Sequence, residues 1–567
     1  MKVVIVGGVA GGASAAARLR RLDEGAEIVM IERTGYVSYA NCGLPYYIGG
    51  VIKEKRRLTL QTPESFRARF RIDVRVRQEV VSIDRAAKTV DVRKLDDGTV
   101  YTEPYDKLIL SPGAHPTVPN IPGTDSARLH TLRSVEDTFR IREAVADGAA
   151  SSATVVGGGF IGLEMAENLR ELGIAVALLQ RGEHVMPALD ADMAALVHNR
   201  LRSGGVDLRL RAGVTGFADE EDGIATLLDT GERIVSDIAI LAVGVTPESA
   251  LARAAGLELG LRGAIRTDAC MRTSDPDIYA VGDAVEVVHA VTGQPAVISL
   301  AGPANKQGRI AADAICGIEH PFTGSQGSSI LKVFDLDVAA TGLTERAAQA
   351  AGIDFDSVVL TPPNHATYYP DGHAMTLKVL FERGSGRILG AQAVGRGGVD
   401  KRIDVLAVAI RARMDAYDLA ELDLAYAPPY SSAKDPVNMA GFMIQNILEE
   451  RVDKVTWTEV ERAVETSGPD APLVLDTRTV GEWERGHVEG AAHIPLDELR
   501  EHLDELPRDR RLLVYCQSGL RSYVACRILA QHGFPCANVA GGYGFYDQVL
   551  EGRYVEDSEV GPCGMRA

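Results

Sequence analysis

Two cysteines in this 567-residue chain have neighbours suited to sulfur chemistry. Cys42 lies in YVSYANCGLPYYIG, from Tyr36 to Gly49, and Tyr47 stands where a CxxxxC pair would place its second thiol. A thiol without an internal partner must exchange with a sulfur that arrives from outside. Cys516 opens the loop CQSGLRS, behind the strand pattern LLVY and ahead of Gly519, Arg521 and Ser522. Four residues separate Cys516 from Arg521, one fewer than in a phosphatase-like CxxxxxR loop, which favours sulfur transfer. The other five cysteines (270, 316, 526, 536, 563) form neither a CxxC metal pair nor a disulfide framework. Cys526 and Cys536 read as packing or surface thiols, and Cys563, in the tail GPCGMRA, as a candidate sulfur acceptor.

The elements that must position Cys42 begin at the N-terminus. Lys2 to Gly8 reads as a buried parallel strand, followed by the turn GGVAGG, an amphipathic helix from Ala13 to Leu22 and a second strand ending at Glu32. This is a βαβ dinucleotide unit. Gly7 and Gly12 serve the tight turn and the helix packing, Gly8, Ala10 and Gly11 complete the loop, and Glu32, followed by Arg33, can take ribose hydroxyls. Val9 replaces the middle glycine of GxGxxG. A second unit starts at Ala153, with Gly157, Gly159 and Gly162 completing the motif. Its ribose position carries Gln180, then Arg181, instead of an acid, which removes repulsion toward a 2′-phosphate and leaves NADH and NADPH both open.

The whole chain sets outer limits. Its length requires several domains, and 46% hydrophobic with 24% charged residues is ordinary for a globular protein. No apolar run reaches membrane-helix length and no signal-peptide pattern precedes the first strand, so a cytoplasmic protein without membrane association is expected. A net charge of −18 argues against a nucleic-acid partner. Yet nine bases against three acids lie between Lys53 and Arg77, close in sequence to Cys42, which suits a polyanionic substrate.

Further phrases carry a family resemblance. YDKLILSPG (Tyr105 to Gly113) and AILAVGVTP (Ala239 to Pro247) read as strands returning to the first dinucleotide domain, and TSDPDIYAVGDAVE brings Asp283 to a strand end. The order of the two dinucleotide units, YAVGDA and GPANKQGR (Gly302 to Arg309) resembles the pyridine-nucleotide disulfide oxidoreductase superfamily over about the first 445 residues. The resemblance implies FAD in the first unit, with Gly113 and Asp283 among its contacts, and NAD(P)H in the second. Within the single-cysteine branch, the chain is most similar to coenzyme A disulfide reductases. NADH oxidases and peroxidases typically carry a histidine where this chain has Ala10. Ser14, Arg18, Arg21, Ser38 and Asn41 match coenzyme A-holding positions, with Asn305 and Lys434 as further candidates.

From Ser328 to about Glu449 the chain resembles the superfamily's dimerisation domain, which implies a homodimer whose partner completes the active site. HATYYPD and AYAPPYSSAKDPVNMAG supply tyrosines that stabilise a leaving thiolate in the reductases. The spacing favours Tyr368 with Tyr426, and Tyr369 and Tyr430 are the alternatives. After Glu450, PLVLDTRTVGEWERGHVEGAAHIPL, LLVYCQSGLRSYVACRIL and VAGGYGFY resemble a single rhodanese domain. That implies a sulfur-carrying Cys516 in a loop closed by Arg521, with Asp476 and Arg478 as a structural pair.

The expected fold class is α/β: two Rossmann-like domains, an α+β dimerisation domain and a C-terminal α/β rhodanese domain. The boundaries are 1–112 and 245–325 for the FAD domain, 113–244 for the NAD(P) domain, 326–448 for dimerisation, 449–458 for a linker, 459–555 for the rhodanese domain and 556–567 for a tail. The expected activity is NAD(P)H-driven, FAD-dependent reduction of coenzyme A persulfide, coenzyme A disulfide or polysulfide, through a mixed disulfide between Cys42 and coenzyme A. An NADH oxidase or peroxidase with a Cys42 sulfenate and a non-enzymatic sulfur sensor or carrier are the competing expectations.

Overall fold

The computed structural model describes residues 1–466, 468 and 471–553, so Cys563 and its tail lie outside the described residues. By its internal contacts the chain divides into two units, Met1–Gly182 with Gly204–Gly327, and Glu183–Ser203 with Ser328–Ala567.

The first unit holds two parallel five-stranded sheets. In one, Ile278–Ala280, Lys107–Leu110, Lys2–Val6, Glu27–Glu32 and Asp73–Val76 lie side by side in that order. Their apolar runs fit a sheet covered on both faces. Val3, Val4, Ile5, Leu108 and Ile109 are completely buried, and each such side chain stabilises the fold by about 1.5–3 kcal/mol relative to exposure. In the other sheet the order is Val206–Leu210, Ala175–Gln180, Ser152–Val156, Ile238–Leu241 and Leu129–His130.

This arrangement corrects one sequence expectation. Ile238–Leu241 pairs with Ser152–Val156 in the second sheet and does not return to the first. An apolar run followed by glycine fits either sheet, and only the pairing decides between them. Val245–Pro247, which follows it, pairs antiparallel with Ala114–Pro116. The first helix also begins earlier than the apolar periodicity implies, at Ala10.

In both sheets the turn after the first strand requires its glycines. A Cβ on Gly12 would lie 1.9 Å from the Gly7 carbonyl oxygen, and one on Gly162 would lie 1.8 Å from that of Gly157. The helices Ala10–Leu22 and Phe160–Glu171 therefore start tight against their strands, with free N–H groups at their first turns.

The second unit contains an antiparallel sheet in the order Ser329–Val333, Leu336–Gly342, Ile388–Gly395, Met375–Glu382 and Phe355–Leu360. The helices Val399–Ala412 and Pro436–Leu448 accompany it. Buried Lys378 on this sheet is bound by Asp192 at 2.8 Å, Glu345 at 2.9 Å and Asp190 at 3.1 Å. Burial works against its charge, but three carboxylates outweigh it and raise the Lys378 pKa.

The same unit contains a parallel sheet in the order Lys454–Val455, Cys536–Val539, Leu512–Tyr515, Leu473–Asp476 and Ala492–His493. Helix Ala191–Ser203 reaches its last helix, Gly542–Gly552: His198 Nε2 accepts from the Val185 N–H at 3.1 Å, and its Nδ1 lies 2.9 Å from the Gly552 carbonyl.

Candidate active sites

Cys42 sits in the short turn Asn41–Gly43, ahead of the helix Leu44–Ile48. The residue is exposed. Desolvation raises its thiol pKa first, Glu164 and Asp283 add repulsion, and the Arg133 guanidinium opposes them. The chain's own charges around Cys42 thus favour the protonated thiol. Arg133, which the sequence did not single out, ties this neighbourhood together. Its guanidinium lies 3.3 Å from the Asp283 carboxylate, and the Asn41 amide both donates to its carbonyl and accepts from its guanidinium at 3.1 Å.

Glu164 was also missed, although it lies two residues after Gly162 of the second glycine motif. It projects from the helix Phe160–Glu171 and accepts from the Tyr46 hydroxyl at 3.4 Å. Burial pushes its carboxyl up to about 7; the Tyr46 bond pulls down and Glu167 pushes further up. A carboxyl that titrates near neutrality close to a thiol can hold or release a proton there.

The dinucleotide residues fall at equivalent places in the two sheets. Glu32 accepts from the Gly8 N–H at 2.9 Å and, through its other oxygen, from the Thr34 N–H at 2.9 Å. In the second sheet the Gln180 side-chain oxygen accepts from the Gly158 N–H at 3.1 Å. A Cβ on Gly159 would meet open space, so the backbone there is accessible to a bound group. Arg33 is exposed and lies 3.6 Å from Glu248, while Gly113 adopts φ +75° next to Arg133. Glycine cradles, helix N-termini and an acid at the strand end fit FAD in the first sheet. The second has the cradle and an uncharged Gln180 with exposed Arg181, which fits NAD(P)H.

A cavity of about 380 Å³ gathers five of the seven predicted coenzyme A residues: Ser14, Arg18, Arg21, Ser38 and Asn305. Gln61, Arg69 and Arg309 add polar lining, and Phe66 and Phe70 add aromatic surface. Ser14 donates to the Asn305 amide oxygen. Arg18 is shared with Asp313 at 2.6 Å. The lining does not include Asn41, which Arg133 holds, or Lys434, an exposed residue of the second unit.

In the second unit two distant segments bring their tyrosines together. The hydroxyls of Tyr368 and Tyr426 lie 2.8 Å apart, and both side chains are exposed. Their hydrogen bond is the chief cause that raises the Tyr368 pKa. Tyr430, also exposed, and Tyr369, whose ring meets His365 edge-on, are not in this pair. The supporting loop is anchored by Arg402, which is 1% exposed and donates to Ser431 and Asp435 at 3.0 Å.

Cys516 is completely buried at the end of Leu512–Tyr515, where the helix Leu520–Gln531 begins. The Gly519 N–H donates to its sulfur at 3.2 Å and the Ser522 hydroxyl at 3.4 Å. These donors and the helix N-terminus stabilise negative charge on sulfur. The loop is braced from behind: the Tyr543 N–H donates to the Cys516 carbonyl at 2.7 Å and the Gly544 N–H to the Gln517 carbonyl at 3.0 Å. Asp476 and Arg478 form a buried pair at 2.7 Å, with Arg478 also over the Tyr543 ring. Arg521 faces Glu482 through two bonds of 2.7 Å, which hold the Glu482 carboxyl down at about 2. Among the described residues no cluster of side chains is arranged to hold a metal ion, and no helix is long and apolar enough to cross a membrane.

Residues 1–308 match the pyridine nucleotide-disulphide oxidoreductase family, and residues 328–436 match its dimerisation domain. The chain belongs to this family. Residues 456–546 match the rhodanese-like domain. A coenzyme A disulfide reductase of Staphylococcus haemolyticus is 36% identical over 447 residues, 79% of this chain and all of the relative. The crystal structure of reduced CoADR-RHD from Bacillus anthracis is 48% identical, with a TM-score of 0.94 and coverage of 98% of this chain and 99% of that one. An NAD-dependent persulfide reductase from A. fulgidus is 40% identical, with a TM-score of 0.90 and coverage of 96% and 100%. The chain is thus a flavin- and pyridine nucleotide-dependent oxidoreductase of the coenzyme A disulfide reductase type, with a rhodanese-like domain fused after it.

Proposed function

We propose that this oxidoreductase uses NAD(P)H to reduce coenzyme A disulfide, coenzyme A persulfide or polysulfide at Cys42, and that Cys516 carries sulfane sulfur for it. The supporting observation is the cavity that collects Ser14, Arg18, Arg21, Ser38 and Asn305 with Arg69 and Arg309. Four guanidiniums with flanking aromatic rings suit the phosphates and adenine of coenzyme A. Ser38 of this lining stands four residues before Cys42.

FAD, when bound at the first sheet, supplies hydride acceptance from NAD(P)H and an electron pair for opening a disulfide at Cys42. Cys42, as thiolate, attacks one sulfur of the substrate; the new Cys42–sulfur bond replaces the substrate's sulfur–sulfur bond, and a thiolate leaves. Tyr368 and Tyr426 hydrogen-bond to that leaving thiolate within a homodimer, and the resting state holds a Cys42–coenzyme A disulfide. At Cys516, the thiolate takes the outer sulfur of a persulfide and releases the carrier thiol.

Intact mass measurement of the oxidised protein, with and without reductant, tests the reading. A reductant-sensitive coenzyme A adduct localised to Cys42 is expected. Addition of a single oxygen at Cys42, with no adduct after exposure to coenzyme A disulfide, overturns it.

A further inference from the structure

The two arginines that stand against the loop at Cys516, Arg478 and Arg521, are each matched by a carboxylate. The loop's side chains Gln517, Ser518 and Leu520 are uncharged. Arg478, whose guanidinium lies 3.4 Å from the Gln517 amide oxygen, is saturated by Asp476 and the Gly486 carbonyl. Arg521 is close enough to interact electrostatically with Cys516, and both of its terminal nitrogens are committed to the two oxygens of Glu482.

Glu482 is built into that position. It is the third residue of the helix Val480–Glu484, where the Thr479 N–H donates to its carboxylate at 2.9 Å and the Thr479 hydroxyl does the same. A capping box and a bidentate guanidinium contact therefore fix the carboxylate together. Cys516 is fully buried, so an uncompensated charge on Arg521 or Glu482 acts on it through protein more than through water.

We propose that the Glu482–Arg521 pair sets donor specificity at Cys516, selecting sulfane sulfur carried on an organic thiol against the thiosulfate dianion. This rests on the reading of Cys516 as the sulfur carrier. Both donors meet the same attack. With a persulfide, the Cys516 thiolate bonds to the outer sulfur, the donor's sulfur–sulfur bond breaks and the carrier thiol departs with the proton. With thiosulfate the same bond change expels sulfite, and two negative charges must approach a thiolate whose two neighbouring arginines are already paired. A coenzyme A persulfide keeps its phosphates at the far end of a long neutral arm.

The test measures kcat/KM for sulfur transfer to cyanide from thiosulfate and from coenzyme A persulfide, using the full-length holoenzyme. Glu482→Gln can still accept from the Thr479 N–H, but it removes the negative charge that offsets Arg521. The ratio of thiosulfate to persulfide specificity should rise at least tenfold, less so at high salt. Arg521→Gln leaves Glu482 bare, and the ratio should fall at least tenfold. The double variant should return near the wild-type ratio. A ratio that stays within twofold of wild type in either folded single variant overturns the proposal. Cys516→Ser separates the two levels: transfer that persists without Cys516 overturns the carrier reading itself, whatever Glu482 does.

Discussion

Cys42 and Cys516 each precede a helix, but their surroundings are assembled by different means. Cys516 is buried, and the two donors to its sulfur, Gly519 and Ser522, come from the next six residues. Cys42 is exposed, and the charged groups that act on it, Glu164, Asp283 and Arg133, come from three other segments. The Cys516 loop turns its own donors onto the sulfur. The Cys42 environment, with desolvation and two carboxylates against one guanidinium, favours the thiol.

The largest predicted effect separates the two thiols. Cys42→Ser should lower NAD(P)H-linked reduction of coenzyme A disulfide by on the order of 10³-fold or more, with sulfur transfer from coenzyme A persulfide to cyanide retained. Cys516→Ser should produce the reverse pattern. Stopped-flow NADH oxidation and the transfer assay, run on both variants, would falsify the division of labour if one substitution removed both activities.

Next in size come two changes of about 10²-fold, one at each site. Replacing both Tyr368 and Tyr426 by Phe removes the hydroxyls proposed to meet the leaving thiolate, and kcat for disulfide reduction should fall by about 10²-fold with little change in KM. A shift confined to KM would instead assign the pair to binding. Gly542 has φ +71°, and a Cβ there would lie 2.7 Å from the Gln517 backbone. Gly542→Ala should therefore displace the Cys516 loop and lower sulfur transfer by about 10²-fold, while NADH oxidation by coenzyme A disulfide stays unchanged.

Smaller effects probe the electrostatics. Arg21→Gln in the cavity should raise KM for coenzyme A disulfide about tenfold, the equivalent of about 1.4 kcal/mol, and the penalty should shrink as salt rises. An equal loss with a small disulfide that lacks phosphates would show that Arg21 acts on the fold. The least disruptive change is Glu164→Gln. Glu164 repels a Cys42 thiolate, so its neutralisation should move the alkylation profile of the reduced protein to lower pH. In the wild type a second inflection near 7 should mark Glu164 itself. A profile that does not move would show that this carboxylate does not reach Cys42 electrostatically.

Much of the scaffold was legible because its signals are local. Continuous apolar runs gave the parallel strands, and glycine spacing gave the two cradles, whose last glycines, Gly12 and Gly162, have no room for a Cβ. The error over Ile238–Leu241 has the same root. Its run of buried apolar residues states that it is a central parallel strand but not which sheet it joins, since both sheets ask for the same pattern. Glu164 escaped notice because a glutamate on a glycine-motif helix looks like any other until Tyr46 and Cys42 are seen beside it. Arg133 escaped because nothing in its own segment marks it.

Sequence alone determined the identity of both thiols, the absence of a CxxxxC partner for Cys42, the two dinucleotide motifs and the loop that surrounds Cys516, since all depend on residues only a few positions apart. Tertiary structure decided the rest. It joined Tyr368 to Tyr426, the pair the spacing had favoured, across 58 positions, set Arg133 against Asp283 across 150 and closed Glu482 onto Arg521 across 39. A hydrogen bond or ion pair depends on separation in space, and chain spacing carries little information about that beyond a single turn or loop.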